Sequence, residues 1–489
     1  MLALKAGWHF YKGIVMNRRE FLNWSGMAVA GLGVSQMLGG DKALADSGGL
    51  SKCRGANVLL ITCHDLGRHL GCYGVETVHT ENLDALAASG IRFQNYFSTD
   101  CVCSPSRGSF LTGQYPQSNG LMGLTHKPWG WSLNEGERHM AAILRDAGYE
   151  TTLVGLQHVT SGDPRKLGYD NVLSQNHNAA ETVRAAREFL LESERADHPF
   201  YLEVGFFEVH RPFTEGKDEE KGVFIPHYLK DTSEIREDLA RFQGTIRFFD
   251  KCVGEVLNAL KQSPSVEKTL VVFTSDHGIP YPGAKWSLYE PGIQTPLIMS
   301  QPGTALQGGK VYHQLMSNVD FLPTLLDLLG VEIPENLQGC SFKEVIEGTT
   351  AKSPRREVFA QRTSHALRDN TSRAIRTDRY KLIRYFEPGR VIEFPTDAAP
   401  QRVAEHTERP RRKAGQRPVV QLFNLKDDPH ERNDLAALPE YAEIVRDLSD
   451  RLWHWMEQVG DPILKGPLAT PYYRQAIQDY HRFRQQTQK

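Results

Sequence analysis

Short runs of apolar, largely β-branched residues recur through the first 300 residues of this chain, and helical patterns separate them. The runs occupy 58–62, 151–155, 200–206, 269–274 and 296–300. Continuous apolar runs of this length are typical of strands that are buried on both faces. Strands that alternate with helices predict an α/β fold: a large mixed, mostly parallel sheet sandwiched by helices.

The longest helical pattern lies between the third and the fourth run. Its apolar residues follow spacings of four and three, which places them on one stripe of a helix. The members of the stripe are Ile235, Leu239, Phe242, Ile246, Phe249, Val253, Val256 and Leu260. Asp231, three residues before Glu234, predicts a capping box at the start of this helix.

Polar, chemically versatile residues follow four of the predicted strands. In open α/β sheets, ligands bind beyond the carboxyl ends of the strands, so residues far apart in sequence meet there. The residues at these strand ends are His64-Asp65, His158, His210 and Asp276-His277. The sequence therefore predicts one cleft that collects all of them.

The most specific motif begins at Cys103 and reads Cys-Ser-Pro-Ser-Arg, followed by Leu-Thr-Gly at 111–113. This run resembles the C-x-P-S-R-x-x-x-L-T-G signature of the type I, formylglycine-dependent sulfatases of the alkaline phosphatase superfamily. The resemblance implies that a maturation enzyme oxidises Cys103 to formylglycine, whose hydrate is the nucleophile. Cys101, two residues upstream, lacks the rest of the motif.

The same resemblance implies roles for four further catalytic residues. Arg107 pairs with the aldehyde hydrate or with a neighbouring metal ligand, and Lys285 binds the sulfate. His210 protonates the leaving group, and His158 assists the breakdown of the sulfated intermediate. Two departures stand out, because the family lysine two residues before His158 is Leu156 here, and Lys285 stands where related sulfamidases have arginine. Arg165 or Lys166 are candidates to replace that lysine.

The resemblance also implies a divalent metal, with Asp65, Asp276 and His277 as ligands and with Cys103, once converted, beside them. Family members carry Asp-Asp where this chain has His64-Asp65. Calcium is the expected metal, although it prefers oxygen ligands. Two candidate imidazoles, His64 and His277, leave a softer metal open.

Within the family, the chain most resembles the bacterial heparan N-sulfatases. The supporting stretches lie at 209–211, 276–282, 358–377 and 427–431. The resemblance implies removal of the N-sulfate of glucosamine in heparan or heparin fragments, with His126, Arg211 and His365 as substrate contacts. The alternatives are an O-sulfatase on another glycan, a phosphodiesterase or phosphonate hydrolase of the same superfamily, and a non-catalytic glycan-binding relative.

The N-terminus carries an export signal. Arg18-Arg19 precedes a mild apolar stretch and an A-x-A site at 43–45, a pattern typical of the twin-arginine (Tat) pathway. We therefore exclude 1–45 from the fold and expect a bacterial protein exported to the periplasm or beyond by the Tat machinery, without a stable membrane span. Translation starts at Met1 or Met16.

Composition along the chain indicates the domain limits and argues against one class of partner. A change of character near 350 predicts a catalytic domain at 55–350 and a small C-terminal α+β domain at 351–489. A net charge of -2 without a dominant basic region argues against a nucleic-acid partner. Seven sparse cysteines do not indicate a disulfide framework.

Overall fold

The computed structural model describes residues 49–192, 198–365, 368–387 and 417–487. The predicted export signal at 1–45 lies outside the described residues. The strands are β1 (Asn57–Cys63), β2 (Ile91–Phe93), β3 (Tyr96–Phe97), β4 (Glu150–Gly155), β5 (Asn171–Ser174), β6 (Phe200–Gly205), β7 (Thr269–Ser275), β8 (Leu297–Ser300), β9 (Lys310–Tyr312), β10 (Met316–Ser317), β11 (Glu357–His365), β12 (Arg368–Thr377), β13 (Tyr380–Tyr385) and β14 (Val420–Asn424).

Helices alternate with these strands and follow most of them. The helices are α1 (Glu81–Ser89), α2 (Cys103–Thr112), α3 (Pro116–Asn119), α4 (Met140–Asp146), α5 (Ala179–Leu191), α6 (Ser233–Gln262), α7 (Glu290–Ile293), α8 (Phe321–Leu329), α9 (Lys343–Glu347), α10 (Ala442–Gln458) and α11 (Pro471–Thr487).

The central sheet has eight strands in the order β5-β4-β6-β1-β7-β8-β2-β9. All pairings in it are parallel except the two made by β8, which runs antiparallel to β7 and β2. The predicted mixed, mostly parallel sheet is confirmed. The central strand β1 lies between β6 and β7, so the ends of these three strands are neighbours although they are far apart in sequence.

Two apolar cores cover the two faces of this sheet. Leu59 and Ile61 of β1 face one core, which is shared with α1, α5 and α6. Val58 and Leu60 face the other, which is shared with α2, α4 and α8. Because successive side chains of a strand point to opposite faces, a strand covered on both sides needs an uninterrupted apolar run.

The long helix α6 confirms the predicted apolar stripe, since each of its eight members is at most 4 % exposed. The predicted capping box is wrong. Thr232 caps the helix by accepting a hydrogen bond from the backbone N–H of Ile235, and Asp231 instead binds the guanidinium of Arg236 at 2.6 Å. The hydroxyl of Thr232 lies closer to the free N–H groups of the first turn than the carboxylate of Asp231, which is one residue further from the helix.

The C-terminal region forms a separate four-stranded antiparallel sheet, β11-β12-β13-β14, with α10 packed on it through Leu452 and Trp455. This arrangement confirms the predicted α+β character. The described residues belong to one compact unit, Ser47–Lys489, and the domain limits at 55–350 and 351–489 stay a prediction. Within the described part of the chain, no helix has the length and apolarity of a membrane span, and the seven cysteines are unbridged.

Candidate active site

The strand-end residues meet at the carboxyl edge of the central sheet. His64 and Asp65 follow β1, His158 follows β4, His210 follows the loop after β6, and Asp276 and His277 follow β7. The ring of His64 lies 5.3 Å from that of His158 and 6.1 Å from that of His210, centre to centre. The predicted convergence of these residues is observed.

Cys103 is the first residue of α2 and points at this edge. Pro105 suits the first turn of the helix, because the backbone N–H of that position has no partner within the helix. Gly113 ends the helix with a left-handed backbone at φ 65°, which glycine adopts without strain. Cys103 is 2 % exposed, and its Sγ lies 3.2 Å from His277 Nε2 and 4.0 Å from Asp65 Oδ1.

Asp276 is buried and held from four sides. Its Oδ1 accepts hydrogen bonds from the backbone N–H of Asp65 at 3.0 Å and of His277 at 2.9 Å. Its Oδ2 lies 3.1 Å from His64 Nδ1 and 3.4 Å from Arg107 Nε. Burial by itself would raise the pKa of Asp276, but His277, His64 and Arg107 hold it well below the usual value. The carboxylate is therefore ionised.

Asp65 faces the buried ammonium of Lys285, with Nζ to Oδ2 at 2.9 Å and both side chains fully buried. His210 Nε2 is 3.7 Å from the same oxygen. Burial would raise the pKa of Asp65, yet Lys285, His210 and His277 hold it below the usual value. Asp65 also has a left-handed backbone, φ 56°, which costs about 1–3 kcal/mol and is concentrated at functional sites.

His277 directs its Nε2 at this pair of carboxylates. Its Nδ1 is 2.9 Å from the carbonyl oxygen of Gly278, so Nδ1 donates and Nε2 is left to face the carboxylates. That Nε2 lies 3.3 Å from Asp65 Oδ1. A cation placed between this nitrogen and the carboxylate oxygens would be attracted to both.

These donors fit a divalent metal. His64, Asp65, Cys103 and Asp276 each offer one ligand atom, and the four atoms lie within 4.8 Å of one another. A second set, His64, Cys103 and His158, meets the same criterion. Two ionised, buried carboxylates supply the charge that a dication requires.

Arg107 holds Asp276 in place through a network of buried hydrogen bonds. Its guanidinium donates to Thr62 Oγ1 at 3.1 Å and to the carbonyl oxygen of Cys63 at 2.8 Å, in addition to the contact with Asp276. Of the two predicted partners of Arg107, the structure shows the contact with Asp276, the predicted metal ligand. Arg107 therefore ties α2 to the end of β1 and fixes the orientation of Asp276.

A cavity of about 420 Å³ opens over Cys103. His64, His158 and His210 line it, and Leu156 forms part of its wall where the family has lysine. Burial, aided by neighbouring cationic groups, lowers the pKa of His64 to about 3 and that of His158 well below its usual value, so both imidazoles are neutral. Neither Arg165 nor Lys166 is among the described residues that line the cavity.

Of the three predicted substrate contacts, one lies in the cavity, one points elsewhere and one is not described. His126 lines the cavity, and its Nδ1 lies 3.2 Å from His158 Nε2. Arg211 does not line it, because its guanidinium donates to Asp238 of α6 at 3.0 Å and lies over the ring of Tyr281. The side chain of His365 lies outside the described residues.

His177 and Phe207 line the cavity as well, and the sequence did not indicate them. Their rings stack at 4.4 Å with an angle of 2°. His177 follows β5, an edge strand of four residues without a continuous apolar run. The strand-end rule would have found His177 if that strand had been recognised.

Comparisons with known proteins give a consistent result. Residues 56–331 match the family model of the sulfatases, and residues 283–411 match the model for the C-terminal part of N-sulphoglucosamine sulphohydrolase. Human N-sulphoglucosamine sulphohydrolase is 28% identical over 86% of this chain and 93% of its own length. An ulvan-active sulfatase of Formosa agariphila is 27% identical over 82% of this chain and 80% of its own length.

Solved structures share the fold. A 2-O glycosaminoglycan sulfatase superposes with a TM-score of 0.65 at 22% identity, over 84% of this chain and 94% of its own. A protein solved in complex with its substrate, D-glucosamine-2-N,6-O-disulfate, gives a TM-score of 0.67 at 20% identity, over 85% and 99%.

Proposed function

Because this chain belongs to the sulfatase family of sulfuric ester hydrolases, we propose that it removes the N-sulfate of glucosamine from heparan-type saccharides. The observation that carries the proposal is the position of Cys103, the signature cysteine, at the base of the cavity and beside a buried carboxylate pair. The name of the human relative and the match of residues 283–411 support the choice of an N-sulfated sugar.

The family generally uses a metal and formylglycine, and the residues fit both. The hydrated aldehyde derived from Cys103 would supply the nucleophile. Asp65 and Asp276, with His277 and His64 beside them, would hold a dication, which would offset the negative charge of the sulfate oxygens. The resemblance to the family implies calcium as the metal. A maturation enzyme that oxidises Cys103 is the partner that this chemistry requires.

Lys285 and His210 are placed to act on the two ends of the bond that breaks. The ammonium of Lys285 lies 3.3 Å from His210 Nε2 and adds positive charge where the sulfate binds. His210 Nδ1 lies 2.7 Å from the carbonyl oxygen of Arg211, so Nδ1 donates and Nε2 faces the site. Nε2 is therefore the nitrogen placed to deliver a proton to the departing amine, the role that the resemblance implies for His210.

His158 is placed to take up a proton on the other side of Cys103. It is neutral, it lines the cavity, and its Nε2 lies within hydrogen-bonding distance of His126 Nδ1. A neutral imidazole accepts a proton, and His126 can pass that proton toward the open end of the cavity.

We also propose that the protein is exported to the periplasm through the Tat pathway. Tat carries folded proteins, whereas Cys103 lies in a fully buried helix. The maturation enzyme must therefore act in the cytoplasm, before the chain folds and leaves.

The test is a set of matched saccharides offered to the Cys103-converted enzyme. N-sulfoglucosamine is expected to release sulfate, whereas 6-O-sulfated N-acetylglucosamine and an aryl phosphonate are expected to react poorly. Release only from O-sulfated sugars would contradict the N-sulfate assignment, and turnover of the phosphonate in preference to every sulfate would favour a phosphonate hydrolase.

A further inference from the structure

We propose that the metal site of this chain selects a nitrogen-binding transition-metal dication over calcium, because His64 is one of its ligands. This inference rests on the metal site of the proposed function and is independent of the sugar that the enzyme cleaves.

His64 is a buried imidazole with fewer hydrogen-bond partners in the protein than its two ring nitrogens require. Its side chain is 1% exposed, and its Nδ1 lies 3.1 Å from Asp276 Oδ2. Within the described part of the chain, Nε2 of this ring has no hydrogen-bond partner. Leaving a buried polar nitrogen without a hydrogen-bond partner is unfavourable. A metal ion bound to the ring would remove that cost.

His277 offers a second nitrogen to the same space. Its Nδ1 donates to the carbonyl oxygen of Gly278, and its Nε2 lies 3.3 Å from Asp65 Oδ1 and 3.8 Å from Asp276 Oδ1. The four-atom ligand set thus combines two carboxylates with the imidazole of His64, and the imidazole of His277 lies beside it. Calcium takes six to eight oxygen ligands, whereas imidazole suits zinc, iron, nickel and copper.

The ligand set that includes the carboxylates is preferred over the one that includes His158. His158 Nε2 lies 3.2 Å from His126 Nδ1, whereas His158 Nδ1, like His64 Nε2, has no hydrogen-bond partner within the described residues, so the charge of the two sets decides between them. Asp65 and Asp276 bring two negative charges, and a buried dication needs them. His158 is therefore expected to lie beside the metal without binding it.

The experiment measures metal affinity directly, without substrate. Full-length Cys103→Ser protein, in which no thiolate at position 103 can bind metal, is stripped with a chelator and titrated calorimetrically with Zn²⁺ alone and with Ca²⁺ alone. We expect Zn²⁺ to bind at least ~100-fold more tightly than Ca²⁺, as imidazole ligands favour later divalent metals. Elemental analysis of unstripped, converted enzyme is expected to find a transition metal at one equivalent.

Three variants in the same background assign the preference to His64. His64→Asp exchanges the imidazole for an oxygen donor and is expected to lower the Zn²⁺ to Ca²⁺ affinity ratio at least ~10-fold. His158→Ala should leave the ratio unchanged. His69→Phe is the matched control, because His69 is a buried imidazole packed against the rings of Phe224 and Phe242, away from the carboxylates.

Co²⁺ provides a second readout, since its visible absorption changes when a nitrogen ligand is replaced by oxygen. If His64→Asp does not fold, as judged by its thermal melt, His64→Gln takes its place. Tighter binding of Ca²⁺ than of Zn²⁺ by the parent, or an unchanged affinity ratio and Co²⁺ spectrum in the folded His64 variant, would overturn the proposal. Neither result depends on which sugar is cleaved, so failure of this metal proposal can be told apart from failure of the substrate proposal.

Discussion

Replacing Lys285 by methionine tests both the electrostatics and the chemistry of the site. The substitution keeps the length of the side chain and removes its charge, which leaves Asp65 buried without the ammonium that lies 2.9 Å from its Oδ2. Both side chains are fully buried, so solvent does not screen the interaction. Removing one partner of a buried ion pair costs about 3–5 kcal/mol.

The size of the expected thermal shift follows from the length of the chain. Unfolding entropies near 2.1 cal/mol/K per residue give roughly 1 kcal/mol per °C for 489 residues. Lys285→Met should therefore melt about 3–5 °C lower than the parent in the presence of a chelator. The additional change Asp65→Asn should restore most of this loss, since the charge of Asp65 is then no longer buried without its partner.

Activity separates the role of Lys285 in the site from its role in stability. Lys285→Met is expected to lose at least ~100-fold in kcat, the scale observed when one charge-stabilising donor is removed. Lys381→Met is the matched control, because Lys381 is equally buried and pairs with Glu290 at 2.7 Å and Glu431 at 2.9 Å, outside the cavity. It should lose similar stability and keep its turnover below the melting transition. A Lys285→Met protein that melts like the parent, or one that the Asp65→Asn change fails to rescue, would refute the reasoning.

Four further outcomes are expected. Peptide mass spectrometry should find an aldehyde at Cys103 in active enzyme, and folded Cys103→Ala should show no turnover; substantial activity in that variant contradicts the mechanism. His210→Ala should lose about 10²–10⁴-fold in rate on an N-sulfated sugar and less on an activated aryl sulfate, whose leaving group needs no acid, so equal losses would argue against His210 as the acid. Asp276→Ala should contain no metal by elemental analysis, and a stoichiometric metal content would exclude Asp276 as a ligand. The free energy of unfolding should fall as the pH falls from about 6.5 to about 4, because burial lowers the pKa of His69 to about 4 and only the unfolded chain is protonated there in this range. In denaturant melts of His69→Phe, the free energy of unfolding should change with pH by about 1.4 kcal/mol per pH unit less than in the parent. An unchanged pH dependence would exclude His69 as a source.

Local patterns in the sequence predicted most of the framework. The apolar runs gave β1, β4, β6, β7 and β8 within a residue or two, since a strand buried on both faces must be apolar throughout. The spacing of the stripe gave α6, because one face of a helix must be apolar to pack. The cap at Thr232 was missed because two adjacent polar residues, Asp231 and Thr232, can both cap, and only the backbone path selects one.

The candidate site was predicted as a set of residues but not as an arrangement. The signature at Cys103 and the strand-end rule named the residues that meet, because both depend on short stretches of sequence. Arg211 was expected in the cavity, yet the structure turns it toward Asp238 of α6, a contact that spans 27 positions. His177 was missed because its strand is short and lies at an edge, where little apolar surface is buried.

The sequence by itself determined the strands and helices, the signature at Cys103 and the candidate ligands, since each depends on neighbours along the chain. Only the tertiary structure decided which of these groups touch. The order of strands in the sheet brings Asp65 and Lys285 together across 220 positions, and it brings His64 to Asp276 across a similar separation. Such pairs carry no local signal, because their energy comes from burial and from charges that become neighbours only when β1 lies between β6 and β7.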